Sequence, residues 1–180
     1  MAAMRELTEI RWHARAGQGA KSAAQLLALA MLRSGLSVQA FPEYGPERRG
    51  APLRAYTRIA TSTIRRHDSV TEPDIVVVLE PSLVHELDVA EGLAPDGFVL
   101  LNAEEAPPEL GGTTVRCVPA TRLAAARGSG FANIVMLGAV AAALDASQSD
   151  LDDAAVEMLG RKSSPDAVRG ALHEGYAWLN

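Results

Sequence analysis

The run Asp74-Ile75-Val76-Val77-Val78-Leu79 contains five consecutive apolar residues, of which three are valine and one is isoleucine. Branched side chains of this type favour strands, and a strand without polar alternation is buried on both faces, as in a parallel sheet. Neighbouring parallel strands need long crossover connections, which are usually helices. The run therefore predicts an α/β fold.

The sequence before this run also predicts strands and a helix in alternation. Glu6 to His13 reads as a strand, and the turn Gly17-Gln18-Gly19 follows it. Small and apolar residues then recur at helical spacing, which predicts a helix over about Ala20 to Arg33. Leu36 to Phe41 predicts a second strand, which we expect to end at Pro42.

The next strand is different. Between Leu53 and Ile59 the side chains alternate, with one face formed by Leu53, Ala55, Thr57 and Ile59 and the other by Arg54, Tyr56 and Arg58. No helix precedes this strand, so it cannot be joined to the previous one by a helical crossover. We therefore expect a mixed sheet in place of a fully parallel one.

The remainder of the chain continues the alternation of strands and helices. Ser82 is expected to cap a helix that reaches about Gly92. Two strands and three helices complete the pattern, at Phe98–Asn102, Thr113–Val118, Phe131–Leu144, Leu151–Leu159 and Pro165–Trp178. The predicted fold is one domain over residues 1–180, a three-layer α/β/α sandwich with a mixed, mostly parallel sheet.

Composition limits the classes of function. The 180 residues are 48% hydrophobic and 22% charged, as in ordinary globular proteins, and the net charge of −5 argues against nucleic-acid binding. No apolar run reaches the roughly 18 residues of a membrane helix, and the N-terminus lacks the apolar stretch of a secretory signal. We expect a soluble cytoplasmic protein with neither nucleic acid nor membrane as partner.

The chain has a single cysteine, Cys117, in a strand-like run. One cysteine excludes an intramolecular disulfide and cannot by itself hold an iron–sulfur cluster or a cysteine-based zinc ion. The four histidines show no metal-ligand spacing. We expect no metal site and no catalytic residue in this chain, so any redox centre would have to come from elsewhere.

The turn Gly17-Gln18-Gly19 lies between a strand and a helix, where backbone amides at a helix N-terminus bind phosphate. The pattern is not a full dinucleotide fingerprint, because the third glycine is replaced by Ser22. An ordinary strand–helix turn remains the alternative.

The segment Phe41 to Pro52 contains three prolines and two glycines and therefore predicts a rigid loop. It carries the adjacent pair Arg48 and Arg49, which suits the phosphates of a ligand or the acidic surface of a partner, and Glu47, which can orient one of the two guanidinium groups. The alternative is a surface loop whose acids and arginines pair locally.

Four segments together resemble a known family. Arg11–Ala20, Phe41–Pro52 and Glu72–Val78, with Thr121 and Gly130–Ala139 further along, are similar to the gamma subunit of 2-oxoacid:ferredoxin oxidoreductases, of which pyruvate:ferredoxin oxidoreductase is a member. The likeness spans about residues 9 to 145. It departs from the family at Ala14 and Ala16, where two glycines are usual.

The resemblance implies a function for the complex. Enzymes of this family oxidatively decarboxylate a 2-oxoacid, such as pyruvate or an aryl or branched 2-oxoacid, and transfer the acyl group to coenzyme A. Electrons pass to ferredoxin, or through a flavin subunit to NAD. Thiamine diphosphate, Mg and the 4Fe-4S clusters are held by partner subunits of alpha, beta and delta type, the last being ferredoxin-like.

The resemblance implies a structural role for the gamma chain, on the coenzyme A side. The backbone of Gly17, Gln18 and Gly19 would face coenzyme A, Arg48 and Arg49 would contact its phosphates or a neighbouring subunit, and Glu47 would orient an arginine. Asn133 is a candidate polar contact in the same cleft or, alternatively, a helix N-cap. Two other functions stay open: a stand-alone NAD(P)- or nucleotide-binding domain, and an interface subunit without a ligand.

Overall fold

The computed structural model describes residues 6–43, 50–160 and 163–179. Six strands are present in these ranges: β1 Leu7–Arg15, β2 Ser37–Glu43, β3 Pro52–Ala60, β4 Ile75–Val78, β5 Phe98–Leu101 and β6 Val115–Cys117. The α-helices are α1 Ala20–Arg33, α2 Ala120–Ala126, α3 Ala132–Ala143, α4 Gln148–Leu159 and α5 Pro165–Leu179. Two short 3-10 helices cover Pro81–His85 and Pro108–Leu110.

The strands form one sheet in the order β2-β3-β1-β4-β5-β6. From β1 to β6 the neighbours are parallel, whereas β3 runs antiparallel to both β1 and β2. The predicted α/β fold with a mixed, mostly parallel sheet is therefore confirmed. The strand over Leu53–Ile59, which lacks a preceding helix, is the one that breaks the parallel arrangement.

The two faces of the sheet are covered unequally. All five described α-helices contribute to the core on one face, where Ile10, Trp12 and Val77 project from the strands. On the other face Val76 and Leu101 pack beneath the 3-10 helix Pro81–His85 and the connecting segments. The layer on this second face is thus made of 3-10 turns and loops, with no α-helix among the described residues.

The second face also buries charged side chains of β1 and β3. Arg58 is fully buried, and its Nε donates to Oε1 of Glu9 on the neighbouring strand at 2.7 Å. Arg11 is buried too, and its Nη2 donates to the backbone oxygens of Val89 and Glu91 at 3.1 and 2.5 Å. The arginine-bearing face of β3 therefore has a structural role at Arg58, where the ion pair ties two strands together.

Two local predictions are corrected, and one short helix was missed. Ser82 does not cap an α-helix, because the segment forms only the 3-10 helix Pro81–His85, with Glu80 as its N-cap. Pro42 does not end β2, which continues to Glu43, since an edge strand tolerates a residue without an N–H group. The seven-residue helix α2 was not predicted.

No helix of the described residues is long and apolar enough to cross a membrane.

Candidate functional site

A cavity with a volume of about 500 Å³ lies at the carboxyl ends of the parallel strands. Gly17, Gln18, Gly19 and Asn133, four of the residues predicted from the sequence, all line it. The other three, Glu47, Arg48 and Arg49, lie outside the described residues. The segments that follow β1, β4 and β5 contribute to the wall, as do the first residues of α3.

The glycine turn adopts a backbone conformation that requires glycine at two positions. Gly17 has a φ of 96° and Gly19 a φ of 81°, both in the region that side chains with a Cβ disfavour. Ala14 and Ala16 have no positive φ, so alanine fits where the resembling family usually has glycine. The departure from the family pattern thus leaves the conformation of the turn intact.

The turn ends at an uncapped helix. Gly19 is the N-cap of α1 and has no side chain that could accept a hydrogen bond, and the first backbone bond of the helix runs from Ala23 N to Gly19 O at 3.0 Å. The amides of Ala20 to Ser22 therefore have no acceptor within the helix. These amides and the helix dipole make this end of α1 favourable for a negative charge.

A second helix begins at the same cavity. The N-cap of α3 is Phe131, whose side chain makes no capping bond, so the alternative of Asn133 as N-cap is wrong. Asn133 instead donates from Nδ2 to the backbone oxygen of Gly19 at 3.3 Å. A Cβ at Gly19 would lie 2.5 Å from this nitrogen. A side chain at this position would therefore displace the Asn133 amide from its contact with the turn.

The side chain of Gln18 is hydrogen bonded at both ends. Its Oε1 accepts from the backbone N of Arg15 at 2.7 Å, and its Nε2 donates to Oε2 of Glu80 at 2.6 Å. The Arg15 oxygen in turn accepts from the backbone N of Gln18 at 3.1 Å. Both the side chain and the backbone N–H of Gln18 are thus engaged by protein groups.

Glu80, two residues after β4, is the only titratable side chain that lines the cavity among the described residues. Besides Gln18, it accepts hydrogen bonds from the hydroxyl of Ser82 at 2.8 Å and from the backbone N of Ser82 at 3.4 Å. Partial burial opposes ionisation, but these hydrogen bonds and the charge of Arg15 outweigh it and lower the pKa of Glu80. The carboxyl group is therefore ionised at neutral pH.

The far wall of the cavity is held by a buried amide. Asn102 donates from Nδ2 to the backbone oxygen of Leu79 and to Oγ1 of Thr121, both at 2.9 Å, and its Oδ1 accepts from the backbone N of Thr121 at 3.0 Å. Asn102 thus connects the ends of β4 and β5 to the start of α2.

The sequence-based hypothesis did not include Glu80 and Asn102. A signal for both was present, because Glu80 follows one predicted strand and Asn102 is the last residue of another, and ligands of open α/β sheets bind at the carboxyl ends of the strands.

The lining of the cavity combines hydrogen-bonding groups with apolar surface. Two uncapped helix starts supply amide donors, Asn133 and Thr121 add polar groups, and Phe131 and Leu79 add apolar surface. No group of three metal-ligating side chains occurs within residues 6–43, 50–160 and 163–179. Fold and cavity together define an α/β domain with an open cavity at the carboxyl edge of its sheet.

Comparison with known proteins identifies the family. Residues 9–178 match the sequence model of the family named pyruvate ferredoxin/flavodoxin oxidoreductase. The pyruvate synthase subunit PorC of Thermotoga maritima is 42% identical over 178 residues, which cover 93% of this chain and 92% of that protein. The common gamma subunit of the pyruvate/ketoisovalerate oxidoreductases of Pyrococcus abyssi is 41% identical, with coverages of 89% and 94%. The chain belongs to the pyruvate ferredoxin/flavodoxin oxidoreductase family.

Solved structures agree with this assignment. The pyruvate oxidoreductase subunit PORC of Thermotoga maritima superimposes with a TM-score of 0.82 at 38% identity, over 96% of this chain and 97% of that one. A 2-oxoglutarate:ferredoxin oxidoreductase from Magnetococcus marinus shares the fold, with a TM-score of 0.83 at 18% identity, and this chain covers 31% of its length. The predicted gamma-type subunit of a 2-oxoacid oxidoreductase is confirmed.

Proposed function

We propose that this chain forms the coenzyme A side of a CoA-acylating 2-oxoacid:acceptor oxidoreductase and holds part of coenzyme A in the cavity between α1 and α3. The observation that carries the proposal is the convergence of two uncapped helix starts on one cavity. Coenzyme A is an anion with several phosphate groups, and free amides at a helix start favour such groups.

The described residues suit the different parts of this ligand. The unbonded amides after Gly19 match phosphate oxygens, and Asn133 and Thr121 match the amide and hydroxyl groups of the pantetheine arm. Arg48 and Arg49 are proposed to add charge-assisted contacts to the phosphates or to a neighbouring subunit, with Glu47 orienting one of them. The Magnetococcus marinus enzyme that shares the fold was solved with coenzyme A and succinyl-CoA bound.

The chemical step itself is proposed to take place on other chains. Alpha, beta and delta-type subunits would hold thiamine diphosphate, Mg and the 4Fe-4S clusters, and the substrate would be pyruvate or an aryl or branched 2-oxoacid. The names of the relatives support pyruvate and ketoisovalerate. The acceptor would be ferredoxin or, through a flavin subunit, NAD. These reactants are intracellular, so we place the complex in the cytoplasm.

The experiment that tests the proposal replaces Arg48 and Arg49 by alanine in the complete complex. Loss of two guanidinium contacts to phosphate should raise the KM for coenzyme A about ten-fold or more, while kcat at saturating coenzyme A changes little. Arg33→Ala, an exposed arginine at the opposite end of α1, is the matched control and should leave KM unchanged. An unchanged KM in the intact double variant would refute the arginine contacts.

Hydrogen exchange separates a coenzyme A-binding subunit from an interface subunit without a ligand. Addition of coenzyme A to the complete complex should slow exchange of the amides of Gly17 and of Gly19 to Ser22, because a bound phosphate would accept their hydrogens. The Gln18 amide already donates to the Arg15 oxygen and should change less. If these amides exchange equally fast with and without coenzyme A, the chain serves only as an interface.

A further inference from the structure

The conformation of the glycine turn is not fixed by packing alone. A Cβ at Gly17 would meet no atom within 4 Å, so the backbone at this position has open space around it. Gly17 is exposed and Gln18 only half-buried. At the other end of the turn, Gly19 contacts Asn133. Hydrogen bonds must therefore contribute much of what holds the first half of the turn.

The side chain of Gln18 makes those hydrogen bonds. It closes a ring with the backbone of Arg15 inside the turn and then reaches across to Glu80 at 2.6 Å. The hydrogen bond to Glu80, here called the Gln18–Glu80 link, connects the turn after β1 to the segment after β4. A link to a charged acceptor is stronger than one between neutral groups.

Glu80 provides a fixed point for this link. It follows Leu79, which is buried, and precedes Pro81, whose ring restricts the backbone. The hydroxyl of Ser82 holds the other carboxylate oxygen at 2.8 Å. Arg15 adds a second connection between the same two segments through the Ser82 hydroxyl at 3.1 Å and an ion pair with Glu86. The carboxylate is therefore oriented toward Gln18 by its own surroundings.

We propose that Glu80 is a positioning residue that acts through Gln18 to hold the glycine turn, and with it the first amides of α1, in the geometry that binds the ligand. This inference rests on the proposed function, in which those amides take phosphate groups of coenzyme A. Glu80 acts as a hydrogen-bond acceptor and does not itself contact the ligand. A negative charge in an anion-binding cavity is tolerated because both of its oxygens are occupied by protein donors.

The acceptor and the charge can be separated by substitution. Glu80→Gln keeps a carbonyl oxygen for Gln18 and places an amide toward the Ser82 hydroxyl, which can accept its hydrogen. Glu80→Ala removes the acceptor of the link, and Gln18→Ala removes its donor together with the bond to the backbone N of Arg15. If the two residues act through one hydrogen bond, the double alanine variant loses nothing beyond the worse single variant.

The test measures kcat and the KM for coenzyme A on the complete complex. Glu80→Ala and Gln18→Ala should each raise KM about ten-fold with kcat nearly retained, the double variant should match the worse of the two, and Glu80→Gln should stay within about two-fold of the unchanged complex. Glu109→Ala is the control, since this exposed carboxylate contacts His85 instead of the turn. Multiplying effects in the double variant would overturn the proposal. So would a Glu80→Gln variant that resembles Glu80→Ala or binds coenzyme A more tightly.

Hydrogen exchange without coenzyme A tests the link independently of the ligand. In the complete complex, Glu80→Ala should speed exchange of the Gln18 and Arg15 amides, which are both hydrogen bonded within the turn, and Glu80→Gln should not. Unchanged exchange in Glu80→Ala would refute the positioning role. If exchange rises as expected but coenzyme A fails to protect the helix amides of the unchanged complex, the link stands and the proposed function fails.

Discussion

His13 lies on β1 with its imidazole buried beside two arginines. Nε of Arg11 donates to Nε2 of His13 at 3.1 Å, so this nitrogen must keep its lone pair. The other nitrogen, Nδ1, is buried without a hydrogen-bond partner in the described part of the chain. Burial, assisted by the charges of Arg11 and Arg54, lowers the pKa of His13 to about 3. The residue is therefore neutral in the folded protein.

This low pKa predicts a specific loss of stability in acid. Unfolded His13 takes up a proton below about pH 6.5, whereas the folded residue does so only near pH 3, so acidification favours the unfolded chain across this window. His13→Gln cannot titrate, and its carbonyl can still accept from Arg11. Between pH 6 and 4 we expect the free energy of unfolding to fall more steeply in the unchanged protein, by up to about 1.4 kcal/mol per pH unit.

Urea unfolding followed by circular dichroism at several pH values measures this difference. His67→Gln, an exposed histidine, serves as the control and should follow the slope of the unchanged protein. Parallel curves for His13→Gln and the unchanged protein would show that His13 is not held neutral.

Prediction from the sequence succeeded for residues whose role depends on local backbone conformation. It failed for side-chain contacts between strands that are far apart in the sequence. Gly17 and Gly19 were recognised as turn residues, and both have positive φ. Arg54 and Arg58 were placed correctly on one face of β3, yet the sequence could not reveal that Glu9, 49 positions away, neutralises Arg58. Pairing of this kind depends on strand register, which no local pattern contains.

Among the helices, α3 and α5 are held together by an unusually close backbone contact. A Cβ at Gly138 would lie 2.0 Å from the backbone oxygen of Leu172, and one at Gly175 would lie 1.8 Å from that of Val135. Backbone atoms cannot move aside by changing rotamer. Glycine at these two positions is therefore required by the packing of the helices rather than by their conformation.

This contact predicts large effects for small substitutions. Gly138→Ala or Gly175→Ala should each lower the free energy of unfolding by about 3 kcal/mol or more, because α3 and α5 must separate to admit a methyl group. Gly170→Ala, also in α5, meets only the flexible guanidinium end of Arg127 at 3.0 Å. It should be neutral or stabilising by up to about 1 kcal/mol through helix propensity. Chemical denaturation measures all three, and equal effects would contradict the packing argument.

Elements were predictable from the sequence in proportion to their length and periodicity. The structure confirms α1 at Ala20–Arg33, where fourteen residues carry a regular apolar pattern. The predicted helix after Ser82 was wrong, because Glu80 and not Ser82 caps the segment and the backbone forms only a short 3-10 helix. The seven residues of α2 span too few turns to show a periodic pattern.

At the scale of the whole molecule, the order of strands and helices was enough to predict the α/β class but not the distribution of the helices. The pattern gives no sign that the described α-helices all lie on one face of the sheet. The candidate site was found in part, since Gly17 to Gly19 and Asn133 meet at one cavity although 114 positions separate Gly19 from Asn133. The family resemblance, more than any spacing, brought Asn133 into the hypothesis.

The complete assembly provides the broadest prediction. Anaerobic affinity purification of this chain from its own organism should yield a brown complex with larger partner subunits and thiamine diphosphate, because the proposed clusters absorb visible light. The chain produced alone should be colourless. If the chain purifies from its organism as a colourless protein without partners and binds NAD(P), the stand-alone nucleotide-binding domain is supported instead.

Each edge of the sheet carries one feature that disfavours pairing with a further strand. At one margin, Pro42 in β2 interrupts the series of backbone donors that another strand would need. At the other, the indole Nε1 of Trp178 donates to the backbone oxygen of Cys117 in β6 at 3.0 Å. Newly synthesised copies are thus hindered from joining sheet to sheet. Aggregation through the edges of the sheet is thereby disfavoured while the other subunits are still being made.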